Sequence, residues 1–203
     1  MTDAEAASTD GRTARRDRNR ELALDAVLAL FTEDHLFPSA PQVAERSGVS
    51  LRSVFRYYED TEALIEAAMA RHLEVIAPLF EIADLGEGPF EERVKRFTAS
   101  RLHLYRAVAP TARAAISRAA TSEIIAERLV RVRRQGRELL EAMFAPELRA
   151  MPAPRRRSAV AAADTMFQFE GVEHLCEHLG LSDSRAAEVL RHGLRTLLAA
   201  SPS

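Results

Sequence analysis

Hydrophobic and polar positions along this chain repeat at helical spacing, and no stretch alternates convincingly with a period of two. Ala23, Val27, Leu30 and Phe31, widened by Leu24 and Leu28, form an apolar stripe that predicts a first helix over 14–34. His35-Leu36-Phe37-Pro38 ends it, because proline cannot continue a helix. Ser39 is placed to cap a second helix, with Pro41 tolerated in its first turn. Val43, Ala44 and Ser47 share a face of that helix, and Gly48 supplies a turn where a left-handed backbone costs little. Val49 packs between the two helices, and Ser50 caps a third over 51–57. There Val54 and Tyr58 point inward at i, i+4 spacing, leaving Arg52, Ser53, Arg56 and Tyr57 outward. Asp60 or Thr61 starts a fourth helix over 61–83, striped by Leu64, Ala68, His72, Val75 and Leu79.

Gly86-Glu87-Gly88-Pro89 reads as a linker, and everything after it is again helical. Phe90, Val94, Phe97, Leu104 and Val108 mark a fifth helix ended near Pro110, followed by a short one over 111–119. Further helices are expected over 122–144, 155–179 and 183–199, with prolines 146, 152 and 154 punctuating a connection. The pattern divides the chain into a disordered tail over 1–13, a helix-turn-helix domain over 14–60 and a helical domain over 61–203. The fold class is all-α.

Composition narrows the class. The chain has 203 residues and is 47% apolar, enough for a real core. No apolar run approaches the roughly 18 residues of a membrane span, so no membrane partner is expected. A single cysteine, Cys176, excludes an internal disulfide framework and fits a cytoplasmic protein. Lys95 is the only lysine, so arginine carries nearly all positive charge. The net charge of −2 does not announce a nucleic-acid binder, and in the first 60 residues eight arginines face eleven carboxylates. Distribution matters more than the sum: residues 12–20 hold Arg12, Arg15, Arg16, Arg18 and Arg20 against Asp17 alone. A charge run is usually a solvated face; just before a helix-turn-helix it also suits an arm on phosphates or in the minor groove.

A short second helix with donors on its outer face is what reading the major groove requires. That predicts double-stranded DNA as partner and binding rather than catalysis. No Gly-rich phosphate loop, metalloprotease pairing or serine elbow is present, and no cofactor is expected. Glu170, His174 and His178 fall on one helical face, but two histidines lacking a ligand from elsewhere make a polar patch rather than a metal site, and no metal is expected.

Residues 19–70 resemble the DNA-binding module of the TetR family of bacterial transcriptional regulators. The matching string is Leu24, Ala26, Leu30 and Phe31, then Val43-Ala44, Gly48-Val49-Ser50, Val54-Phe55, Tyr57-Tyr58, Glu62 and Leu64. The resemblance implies that Leu51, Arg52 and Ser53 meet base edges and that Tyr57 meets a phosphate. Together with Arg15, Arg16, Arg18, Ser39, Gln42, Ser50 and Arg56 these make the expected DNA-binding set. Arg52 is the residue best suited to sequence readout, because a guanidinium grips guanine O6 and N7 in two-pronged fashion. The resemblance also implies a homodimer formed through the last two helices, a cavity for a small apolar or amphipathic effector, and a repressor released from its operator by that effector.

Several positions depart from the family pattern. His35 stands where a glycine is usual, Ser39-Ala40 replaces a threonine pair, Phe55 replaces a tyrosine, and Thr61 replaces a lysine. Each departure removes backbone freedom or a phosphate contact, and the arginines at 12–20 are placed to compensate. The candidate effector residues are Phe97, Arg101, Tyr105, Met143, Met166, Phe167, Glu170 and His174. Aromatic and Met residues at helical spacing are core filler more often than ligand contacts. Two rivals stand beside this reading: a helical small-molecule-binding protein or enzyme with a vestigial helix-turn-helix, and a coregulator that dimerises with a relative.

Overall fold

The computed structural model describes the backbone of residues 3–199 and the side chains of 13–199. Ten α-helices follow one another in chain order, and among the described residues there is no strand. They are α1 (Asp3–Thr32), α2 (Ala40–Ser47), α3 (Leu51–Tyr57), α4 (Thr61–Ile76), α5 (Phe90–Arg118), α6 (Glu123–Met143), α7 (Ala145–Ala150), α8 (Ala153–Phe167), α9 (Phe169–Glu173) and α10 (Asp183–Leu198). A 3₁₀ turn, Ala77–Phe80, follows α4, and a π-helical turn, His174–His178, continues α9.

The chain packs as two units. The first runs to Val75 and also takes Arg113–Ile125, the end of α5 and the start of α6. The second comprises Ile76–Ala112 and the chain from Ala126 onward. The division differs from the expected boundary at residue 60, because most of α4 packs with the N-terminal helices: Leu64, Ile65 and Ala68 are fully buried.

In the first unit the expected stripe of α1 is the buried one: Ala23, Val27 and Phe31 have no exposed surface. Val43 of α2, Val49 of the turn, Val54 of α3 and the following Tyr58 are buried too, and α2 and α3 both pack against α1. Each such apolar side chain contributes roughly 1.5–3 kcal/mol on burial. α1 ends in a left-handed turn. The Asp34 N–H donates to the Phe31 carbonyl at 3.1 Å and the His35 N–H to the Leu30 carbonyl at 2.9 Å. The left-handed residue is Asp34, at φ 60°, and not His35. Aspartate tolerates this region better than most residues, so the missing glycine is accommodated one position earlier.

Other helix bounds also differ from the sequence expectation. α1 starts at Asp3 rather than 14. The segment expected as a tail is rich in alanine and lacks proline, and periodicity cannot register a helix without an apolar face. The expected tail residues 1 and 2 and the Arg12 side chain lie outside the described residues. α4 stops at Ile76 because Pro78 restricts Ala77 and lacks a donor; Val75, expected on the buried stripe, is 68% exposed. α5 runs unbroken through Pro110; one proline removes a single backbone bond, and burial of Ala109 and Ala114 on either side holds the helix. The proline-punctuated connection contains α7, with Pro146 in its first turn, where a missing N–H costs nothing.

The second unit has two apolar clusters. One joins Val94 and Phe97 of α5 to Leu140 and Met143 of α6, with Phe144, Leu148 and Leu194. The other joins Leu102, Tyr105 and Ala109 of α5 to Val172, Cys176, Ala186 and Leu190. The helix expected over 155–179 is broken at Gln168, where the backbone turns extended (φ −64°, ψ 158°). Gly171 permits the break to fold tightly: a Cβ there would lie 2.5 Å from the Thr165 carbonyl oxygen.

Candidate nucleic-acid interface

α2 and α3 are fixed at their starts by side-chain caps. The Ser39 N–H donates to Gln42 Oε1 at 2.8 Å and the Gln42 N–H donates back to Ser39 Oγ at 3.5 Å, a capping box. Gly48 takes φ 70° between the helices. Ser50 Oγ then accepts from the Ser53 N–H at 3.3 Å and donates to Ser53 Oγ at 2.9 Å. Ser39, Gln42, Ser50 and Ser53 are thus occupied in shaping the helix ends.

The caps orient α3 so that its two faces separate cleanly. Val54 and the following Tyr58 are buried, while Leu51, Arg52, Phe55 and Arg56 are exposed. Arg52 makes no ion pair among the described residues. Tyr57 is half-buried beside α1. Its hydroxyl accepts from Arg56 Nη2 at 2.9 Å and is also hydrogen-bonded by Asn19. Burial pushes this phenol up, but the Arg56 and Asn19 hydrogen bonds, with the Arg56 and Arg16 charges, outweigh it and set Tyr57 below the ordinary tyrosine value. The arginine-rich middle of α1 therefore lies next to α3. Arg15, Arg16 and Arg18 are exposed there, without an ion pair among the described residues.

Part of the carboxylate excess of this region is held in ion pairs. Glu21 and Asp25 are bonded to Arg71, Glu33 to Arg46 at 2.6 Å, and Glu62 to Arg118 at 2.5 Å. Those carboxylates are paired locally, whereas Arg52 and Arg56 of α3 and Arg15, Arg16 and Arg18 midway along α1 are exposed to solvent. The sequence reading missed Phe55, treated there only as a lost hydroxyl. At 49% exposure it stands one turn from Leu51, itself 39% exposed, as an apolar pair between Arg52 and Arg56. The i, i+4 spacing was the available signal.

The candidate effector residues divide. Phe97 and Met143 are fully buried in the first apolar cluster of the second unit, and the Phe97 ring packs edge-on against Phe144 and Phe167 at 5.5 and 5.0 Å. Tyr105 is buried and donates its hydroxyl to Glu173 at 2.5 Å; burial and that carboxylate push it above the ordinary tyrosine value. Arg101 is buried as well. Met166, Glu170 and His174 instead border an open groove of about 970 Å³, together with Arg133, Gln168 and Leu190. Glu170 is bonded to Arg133 across it, and the His174 and His178 rings stack at 5.5 Å. No three potential metal ligands gather anywhere among the described residues, and no helix there is long and apolar enough to cross a membrane.

No protein-family model matches the sequence, and no curated protein does. Solved structures do resemble it. A transcriptional regulator from Rhodococcus sp. Rha1 is 17% identical, with a TM-score of 0.61 over 90% of this chain and 95% of that one. A TetR transcriptional regulator from Rhodococcus sp. RHA1 is 20% identical, with a TM-score of 0.51 over 93% of this chain and all of that one. At such identities the likeness is one of fold: the chain has the all-helical, helix-turn-helix fold of TetR-type regulators.

Proposed function

We propose that this chain is a DNA-binding transcriptional regulator of the TetR type, with α3 as its reading helix. The observation that carries the proposal is the outer face of α3. Arg52 and Arg56 are exposed there beside Arg15, Arg16 and Arg18 of α1, which are exposed and make no ion pair among the described residues, and the inner side of α3 is locked by Val54 and the following Tyr58. Arg52 is assigned to base edges, and Leu51 with Phe55 to apolar base surface. Tyr57 is assigned to a phosphate, and Arg15, Arg16, Arg18 and Arg56 to the backbone. Ser39, Gln42, Ser50 and Ser53 support the geometry and add backbone contacts from the helix starts.

The working form is a homodimer joined through the last helices of the chain, α8 to α10. It presents two reading helices about 34–36 Å apart to successive major grooves. The second unit takes a small apolar or amphipathic effector that favours a dimer with a different spacing, and so lowers operator affinity. The effector acts only through its difference in affinity for the two dimer shapes. The chain acts as a repressor and not as an enzyme, in the cytoplasm. Operator selection from random duplexes, followed by footprinting and sedimentation of the complex, tests this: the expected result is two half-sites one helical turn apart, bound by two chains. Absence of selective binding, or binding by one chain, overturns it.

A further inference from the structure

Three arginines of α5 are nine-tenths buried or more: Arg93, Arg101 and Arg118. Two are saturated with partners. Arg93 donates to the carbonyls of Gly88 and Met143 and to both carboxylate oxygens of Glu147. Arg118 donates to Glu62 at 2.5 Å and to the Leu36 carbonyl at 3.3 Å. Among the described residues Arg101 has neither a carboxylate nor a carbonyl partner. Its hydrogen bond runs from Nη2 to the hydroxyl of the adjacent Ser100 at 3.2 Å, and its Nε is buried without an acceptor. The guanidinium lies 5.7 Å over the Phe97 ring, which attracts a cation but does not neutralise it. Three residues back on the same face of the helix, Thr98 is fully buried and its hydroxyl has no partner among the described residues.

A buried charge without a counter-ion is costly, and buried donors in folded proteins are normally satisfied. Burial lowers the Arg101 guanidinium to about 10, so it remains a cation at neutral pH. Two orphaned donors, one of them charged, are what a single anionic head group would satisfy. The surroundings are aromatic: Phe97 packs on Phe167, and Tyr105, one turn beyond Arg101, lies 5.4 Å from Phe169. The open groove is bordered by Met166, Leu175 and Leu190, which pack in the same cluster as Leu102 and Tyr105 of α5. The Met166 tip lies over Gly193, within 2.1 Å of where a Cβ would be, so the side chain filling this space is unbranched and flexible.

We propose that Arg101 and Thr98 form an anion-binding centre that takes the carboxylate of an apolar ligand entering from the groove past Met166. The proposal rests on the second unit being the effector domain, and it names the chemistry of the effector. One guanidinium and one hydroxyl match a singly charged carboxylate in charge-assisted hydrogen bonds. A dianion would leave charge uncompensated among the aromatic rings.

The test uses the full-length protein with octanoate and decanoate as probes, against 1-octanol and 1-decanol, by thermal unfolding and calorimetric titration. The carboxylates are expected to raise Tm and the alcohols to act more weakly. Arg101→Met is expected to keep the fold, to raise Tm without probe because the orphan charge is gone, and to weaken carboxylate binding at least about tenfold, down to the alcohol level. Thr98→Val is expected to weaken it partially. The proposal fails if neither class of probe binds, if alcohols match carboxylates, or if Arg101→Met retains the preference. It also fails if Arg101→Met shifts the monomer–dimer equilibrium and carboxylates have no effect, because the counter-ion then comes from a second copy. Operator affinity measured in parallel separates the two readings: carboxylate binding through Arg101 without any change in operator affinity upholds the centre and refutes the effector role.

Discussion

Ser39 and Gln42 hold each other at the start of α2: the Ser39 N–H reaches Gln42 Oε1 at 2.8 Å, and the Ser39 hydroxyl donates to the same oxygen at 2.8 Å. Both residues belong to the DNA-binding set expected from sequence, and in the structure they also form the capping box that fixes the start of α2. Ser39→Ala should therefore cost about 1 kcal/mol of stability, measured by chemical denaturation. Its effect on operator affinity should be small beside that of Arg52→Ala. An unchanged denaturation midpoint would contradict the capping role.

Two glycines of the second unit make a matched pair. At Gly171 an added Cβ would meet backbone oxygens of Thr165 and Met166 at 2.5 and 2.7 Å; at Gly193 it would meet only the tip of the Met166 side chain. Backbone cannot yield as a thioether can. Gly171→Ala should destabilise by about 1–3 kcal/mol, and Gly193→Ala by less. Thermal melts of the two variants decide it, and equal costs would contradict the close approach of α9 to the end of α8.

His72 supplies a pH signature. Burial, reinforced by the Arg71 charge, pushes its imidazole below the ordinary value of 6.5. The unfolded chain therefore takes up a proton near 6.5 while the folded chain does not, so stability falls as pH drops below 6.5 toward the lower folded value. The slope from this residue is at most about 1.4 kcal/mol per pH unit. His72→Gln should flatten the dependence of Tm on pH in that window, and an unaltered profile would exclude His72 as its source.

The apolar pair on α3 makes a prediction about bases. If Leu51 and Phe55 face the major groove, they pack on thymine methyl groups, the apolar feature of that groove. Replacing thymine by uracil in the selected operator should weaken binding at one or two positions per half-site, by about 1 kcal/mol or more each. For Phe55→Ala the same replacement should be silent at the positions that Phe55 covers, while those under Leu51 stay sensitive. Uracil tolerated at every position would contradict the assignment.

The helix-turn-helix was legible in the sequence because its signals are local. Ser39, Gly48 and Ser50 each fix a backbone turn through their own chemistry, and the structure places all three where their residue types demand. The breaks of the second unit were not legible. Gln168 carries no turn signature, and the extended backbone there is imposed by the packing of Gly171 against the end of α8. Pro110 misled in the opposite direction, because tertiary burial around Ala109 and Ala114 overrides one missing hydrogen bond. The candidate effector residues were chosen by type. Type alone does not distinguish Phe97, fully buried in a packed cluster, from Met166 at the edge of an open groove. The orphaned state of Arg101 was beyond the sequence, because it depends on which carboxylates the fold brings near.

The most direct test of the account is the affinity of the wild-type chain and of Arg52→Ala for a selected operator and for a scrambled duplex, at one fixed salt concentration. The account predicts that Arg52→Ala loses about 1–3 kcal/mol on the operator and little on the scrambled duplex, so that specificity falls more than binding does. Equal losses on both duplexes, or none on either, would contradict the claim that the outer face of α3 reads DNA.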